Sequence, residues 1–144
     1  MKILPFFALL IVGLFAVSCS VEPVPIHYGQ DACHFCEMNI VDRQHSAEIV
    51  TTKGKAYKYD AIECLLRDRK NWKEEDIAIT LVADYSNPGE MIAADKATYL
   101  VCENIPSPMG ANLSAFATKE KAESTQKEKG GNLFSWDEMK KRIH

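Results

Sequence analysis

The sequence has too little positive charge for a nucleic-acid binder. Lys and Arg total 17 against 20 Asp and Glu, for a net charge of −3, and the basic residues form no stripe interleaved with aromatics that could track a phosphate backbone. The same mild acidity removes any electrostatic drive toward an anionic lipid surface. A long apolar run is also missing. The uncharged stretch near the amino terminus reaches only from Ile3 to Val17, short of the ~20 residues that span a bilayer as a helix. Finally, the cysteines do not repeat a short spacing. Cys33 and Cys36 stand close together, but Cys64 and Cys102 are each isolated, so the paired pattern of a four-thiolate zinc site is absent.

What the amino terminus does contain is the form of an export signal. Lys2 supplies a positive start, Ile3 to Val17 an apolar core, and Ala16-Val17-Ser18 a run of small or modest residues directly before Cys19. The expectation is a lipoprotein signal peptide over residues 1–18, with Cys19 lipidated as the first residue of the mature chain. A soluble secreted protein cut nearby is the plain alternative. Loss of Lys2 with the leader moves the net charge from −3 to −4. Acyl chains on Cys19 give an effectively permanent anchor, because each buried methylene contributes about 0.8 kcal/mol. Residues 19–30, with Pro23 and Pro25 and no periodic apolar face, read as a short stiff tether. The remaining thiols, Cys33, Cys36, Cys64 and Cys102, then face an oxidising compartment, where disulfides are the default and four thiols can pair in more than one way.

Residues 31–144 read as one small α+β domain made of two ββαβ passes, with halves at about 31–86 and 87–144. In the first, Asn39 to Asp42 and Ser46 to Thr52 alternate apolar with polar, Lys53-Gly54-Lys55 makes a turn, and Ala56 to Tyr59 resumes extended structure. Asp60 can cap a helix from Ala61 to about Lys70, and Ile77 to Asp84 returns as a strand. In the second, Met91 to Ala93, Thr98 to Cys102 and Met109 to Phe116 read extended. Thr118 then caps a polar helix that stops at Gly130-Gly131, and Asn132 to Trp136 closes the pass. The tail from Asp137 is a short helix or a frayed end, with His144 solvated.

The chemistry is concentrated between Asp31 and Met38, where Cys33, His34, Cys36, Glu37 and Met38 crowd together. A thioether with a thiolate selects a soft monovalent ion, so Cys36 and Met38 point to Cu(I), and Met38 as a ligand disfavours zinc. In an extended backbone the side chains of Cys36 and Met38 fall on one side and can converge. Three blander readings stand beside this one. Met38 can be a core residue, the Cys33 and Cys36 pair can be a thiol–disulfide oxidoreductase motif, or the cysteines can be structural disulfides of a lipoprotein. An oxidoreductase motif opens a helix whose dipole lowers the thiol pKa, whereas strand-like sequence follows here. His34 reads equally as solvated or bound, and His27 and His45 read as surface groups.

Three ordered motifs resemble those of the NosL-type copper lipoproteins: Cys33-His34-Phe35-Cys36-Glu37-Met38 with Ile40, then Tyr59-Asp60 leading to Cys64, then Pro108-Met109-Gly110 leading to Ala115-Phe116 and Ala122-Glu123. The resemblance covers most of the mature chain. It implies two ββαβ halves, and Cu(I) binding rather than catalysis, by Cys36, Met38 and Met109, with Cys33 as a further candidate ligand. It also implies a membrane-anchored protein facing the periplasm that serves as a copper chaperone for nitrous-oxide reductase maturation. The partner would be the reductase or its membrane assembly machinery. Glu37 departs from the family pattern, which is expected to have glycine between the Cys and the Met. Beside Met109, Pro108 stiffens the approach and Gly110 is expected to let the backbone come close. Cys64 reads as a buried thiol on the apolar side of the first helix, Cys102 is undecided, and a disulfide between them stays open.

Overall fold

A computed structural model describes residues 20–143. The expected leader, the lipidation site Cys19 and the tail residue His144 lie outside the described residues. The described residues form two antiparallel sheets with three α-helices. The first sheet comprises β1 (Ala47–Thr51), β2 (Ala56–Tyr59), β3 (Ile77–Ala83) and β4 (Met91–Ala93), in the order β2-β1-β3-β4. The second comprises β5 (Thr98–Val101), β6 (Leu113–Phe116) and β7 (Asn132–Phe134), in the order β6-β5-β7. Helix α1 (Ile62–Asp68) lies between β2 and β3, α2 (Lys119–Lys129) between β6 and β7, and α3 (Trp136–Arg142) ends the described chain.

The expected α+β class and double ββαβ order are therefore present, and the two units share one plan. In each, the first strand is central, the second pairs on one side, and the strand after the helix pairs on the other. What differs is β4. Expected to open the second pass, it pairs with β3 through Leu81↔Ala93 and Ala83↔Met91 and so completes the first sheet. Asn39 to Asp42 also departs from expectation, since only Asn39 makes a bridge, to Ala32. The local alternation there comes from a closed turn rather than a strand.

Burial accounts for α1. Ile62, Cys64, Leu65 and Leu66 of α1 are buried in the main core with Ile49 of β1, Val82 of β3, and Tyr99 and Leu113 of the second sheet. Asp60 does not cap this helix. The cap position is Ala61, with no side-chain bond, and the helix tightens to a 3-10 turn at Arg69–Asn71 instead of continuing. The polar helix α2 buries only Ala122. Its start is set as expected, because Thr118 Oγ1 accepts the Lys121 N–H at 3.3 Å. Gly131 follows with φ 94° in a place no Cβ could occupy, because a Cβ there would run into the Val101 carbonyl oxygen. Trp136, expected to end the last strand, instead opens α3 behind Ser135, whose side chain and that of Glu138 form a capping box.

The segment expected to be a tether lies against the first sheet from Val24 onward. The Val24 N–H donates to Glu48 Oε1 at 2.9 Å, Lys58 Nζ donates to the Pro25 carbonyl at 2.8 Å, and Tyr28 Oη pairs with Ser46 Oγ at 2.8 Å. Glu48 and Lys58 are cross-strand neighbours on one face of β1 and β2, so both hold the same strap.

Candidate metal centre

The Cys33 to Met38 segment folds as a tight loop. The Cys33 N–H donates to the Met38 carbonyl at 2.8 Å and the Glu37 N–H to the Cys33 carbonyl at 3.0 Å, while the His34 N–H docks the loop on β2 through the Lys58 carbonyl at 2.8 Å. Closing the loop puts Glu37 at φ 64°, in the left-handed region that glycine adopts without penalty. The backbone between Cys36 and Met38 is thus not extended, contrary to expectation. Met38 is instead turned out at the loop rim, 56% exposed, which removes the reading of Met38 as core.

Docking on β2 brings the loop against the start of α1. One sulfur each from Cys33, Cys36 and Cys64 and one carboxylate oxygen of Asp60 lie within 4.8 Å of one another. Two donors each ~2.3 Å from a shared ion stand at most ~4.6 Å apart, so the spacing is close to that of a single-ion site. Cys33 is 2% exposed, Cys64 and Asp60 are buried, and Cys36 is half-buried beside the rim. All four described cysteines are free thiols.

Asp60 and Cys64 were not among the expected ligands. Asp60, expected to cap the helix, stands one residue before the cap position Ala61, and its carboxylate accepts from the Cys36 thiol at 3.4 Å. Cys64 is buried as expected, yet it faces thiols. Helical spacing held no signal that pairs Asp60 with Cys64, since Asp60 precedes the extended cap residue Ala61 and stands outside α1. Cys102 does not join them. Its thiol donates to the Lys129 carbonyl at 3.3 Å in a separate core cluster, so a Cys64 to Cys102 disulfide is not formed.

The cluster holds its protons unevenly. The Cys33 thiol is pulled down to about 6 by the hydrogen bond from Cys64, against the cost of burial, with the backbone amides of Cys36, Asp60 and Phe35 also directed at it. Burial pushes Cys36 up to about 11, and the neighbouring Cys33 and Asp60 add to the rise. Cys64 is held far above the ordinary thiol range, first by its hydrogen bond to Cys33 and then by burial. One thiolate therefore sits among two thiols that give up protons only to a strong competitor.

His34 is outside this donor set. Its ring packs edge-on against Tyr57 with centroids 4.6 Å apart, and Nε2 is 3.9 Å from Asp68. His45, expected at the surface, is 3% exposed. It joins the halves, with Nδ1 2.9 Å from Asp42 and Nε2 3.1 Å from Ser114 of β6. His27 is exposed beside Asp31, as expected.

Met109 lies half-buried on the turn before β6, packed against the main core. Gly110 serves this turn through its φ of 78°, not through close approach, because a Cβ there would meet nothing within 4 Å. Its N–H donates to the Ser107 carbonyl at 3.0 Å.

The profile of the NosL family matches residues 23–144. The chain belongs to the NosL family. A curated NosL relative, the copper-binding lipoprotein NosL of Stutzerimonas stutzeri, is 26% identical over 137 residues, covering 85% of this chain and 68% of the relative. The crystal structure of the copper chaperone NosL from Shewanella denitrificans superposes with a TM-score of 0.72 at 22% identity, covering 83% of this chain and 96% of that one. At that identity the likeness establishes the NosL fold. No helix among the described residues is long and apolar enough to cross a membrane.

Proposed function

We propose that this NosL protein is a Cu(I) metallochaperone, anchored through acylated Cys19 at the periplasmic face of a membrane, that delivers copper for maturation of nitrous-oxide reductase. The observation that carries the reading is the convergence of three cysteine sulfurs and Asp60 within 4.8 Å, with the exposed Met38 two residues along the chain from Cys36. Sulfur donors in this number favour a soft ion. The names of the two relatives, a copper-binding lipoprotein and a copper chaperone, support the same cargo.

The assigned ligands are Cys36, Met38 and Met109, with Cys33 beside them, and the cluster adds Asp60 and Cys64 as donors within reach. Cu(I) binds here by displacing thiol protons. Cys36 and Met38 stand at the rim, where a partner can supply a competing sulfur and draw the ion off by ligand exchange. The recipient is the reductase or its membrane assembly machinery. Cys33 argues against a thiol–disulfide oxidoreductase: such a nucleophile must be exposed as well as ionised, and this one is 2% exposed.

The test is anaerobic Cu(I) titration of the reduced fragment from Ser20 against a competing chelator. That fragment keeps the strap from Val24. Cys36→Ser, Met38→Leu and Met109→Leu are expected to weaken binding, Cys36→Ser most. Wild-type affinity in Cys36→Ser would sink the copper-site assignment. Rapid reduction of disulfide substrates that survives Met38→Leu would favour the oxidoreductase.

A further inference from the structure

We infer that Glu63 is the positioning residue that presents Met109 to the copper site, an inference that rests on the copper-binding reading above. Glu63 stands in the first turn of α1, directly before Cys64, and is fully buried. Its carboxylate reaches out of the first ββαβ unit to the loop before β6. Oε1 accepts from Ser107 Oγ, from the Met109 N–H at 3.2 Å and from the Ala111 N–H at 3.4 Å. These donors bracket the Pro108-Met109-Gly110 turn. Ser107 Oγ also accepts the Leu113 N–H at 3.3 Å, which ties the same network to β6.

The second carboxylate oxygen, Oε2, is buried and has no hydrogen-bond partner among the described residues. Burying a carboxyl group with one oxygen unsatisfied is costly, and Ile62, Leu65 and Leu66 of the same helix are buried with it. A carboxylate at this point stabilises little by packing. What it does is gather two loop amides and a hydroxyl onto a single acceptor and so fix the backbone of Met109. Adjacent residues of one helix thus divide the work, Cys64 entering the thiol cluster and Glu63 holding the backbone that carries the distant thioether.

Removing the carboxylate takes away no sulfur. It leaves Met109 on a loop that must be ordered when copper binds, which costs conformational entropy. Loss of a comparable supporting partner weakens metal binding by about 10- to 100-fold, and Glu63→Ala is expected to fall in that range.

The experiment is a double-mutant cycle by competitive Cu(I) titration on the Ser20 fragment, using wild type, Glu63→Ala, Met109→Leu and the double variant. Glu63→Gln, which keeps an acceptor oxygen, is included as the conservative variant. The expected result is that Glu63→Ala weakens binding in the wild-type background but adds nothing in the Met109→Leu background, and that Glu63→Gln restores most of the affinity. Equal weakening in both backgrounds, or none in either, would overturn the positioning role while leaving copper binding in place. Failure of the wild type to bind Cu(I) would instead remove the functional reading, and the positioning role with it. Where Glu63→Ala does not fold, Ser107→Ala breaks the same network more gently and carries the cycle with the same two outcomes.

Discussion

The Cys36 thiol donates to Asp60 Oδ1 across 3.4 Å, so the metal loop and the entrance of α1 meet through one proton. That proton is held by burial of Cys36 and further by the neighbouring Cys33 and the Asp60 carboxylate, which together place the thiol at about 11. Asp60→Asn removes the charge and keeps an acceptor of similar shape. The Cys36 midpoint is expected to fall, and alkylation of this half-buried thiol at pH 8 to quicken severalfold, because the thiolate is the reactive species. Unchanged alkylation would mean that Asp60 does not influence the Cys36 proton.

Cys33 offers the opposite titration. Held at about 6 by the Cys64 hydrogen bond, it should give a thiolate absorbance step near that pH in the reduced, metal-free protein. Cys33→Ser abolishes the step and Cys64→Ala moves it upward. Since the folded value lies below the ordinary thiol value, Cys33 contributes stability above the unfolded pKa, and that contribution is lost as pH falls through about 6. A first thiolate step only above pH 8 would contradict the assigned proton distribution.

Glu37 occupies the left-handed region at φ 64°, a conformation that costs a side-chain-bearing residue roughly 1–2 kcal/mol. Glycine relieves that strain but loses more freedom on folding. Glu37→Gly is therefore expected to stabilise the protein by up to about 1 kcal/mol in urea unfolding, with the Cu(I) affinity kept. Destabilisation would mean that the Glu37 side chain holds the loop by itself.

The order of elements was legible in the sequence because it rests on local signals: the alternation around β1, the Lys53-Gly54-Lys55 turn, the Thr118 cap, and the glycines after α2. Pairing was less so. Nothing in the triplet Met91-Ile92-Ala93 says which sheet it joins, since a short strand is assigned by the neighbour it meets. The site was half legible for the same reason. Of the cluster, Cys33 and Cys36 announce themselves by proximity along the chain, while Asp60 and Cys64 enter through docking of the loop on β2. Asp60 was obscured because one carboxylate can serve as a cap or as a thiol acceptor, and tertiary contact decides between them. His45 is not legible as buried because a histidine between polar neighbours looks solvated until its partners arrive, one of them 69 residues away.

That histidine is a joint between the halves. Asp42, despite the penalty of burial, is kept below the ordinary carboxyl range by the His45 ring and the Gln44 amide, and Ser114 is fully buried. His45→Phe fills the space but strands the Ser114 hydroxyl and takes a partner from Asp42. A buried polar group left without its partner costs about 1–3 kcal/mol, and urea unfolding should register a loss of that size. In Ser114→Ala the histidine is the group left wanting, so the two single losses should not add in the double variant. Additive losses would place the two residues in separate networks.

Glu48 sets the pH response of the strap. Burial raises its carboxyl above the ordinary range, although the Val24 N–H and the Lys58 ammonium work the other way. The folded state thus holds the Glu48 proton more tightly than the unfolded state does. Stability from this group is full below the unfolded pKa and declines as pH rises through the raised folded value. Glu48→Gln keeps the acceptor for Val24 and removes the ionisation. It is expected to unfold at higher urea than wild type at pH 7 to 8 and to lose that advantage at pH 4, where the wild-type carboxyl is largely neutral. The opposite ordering, with the variant weaker at neutral pH, would show that the Glu48 charge is stabilised by Lys58 more than burial penalises it.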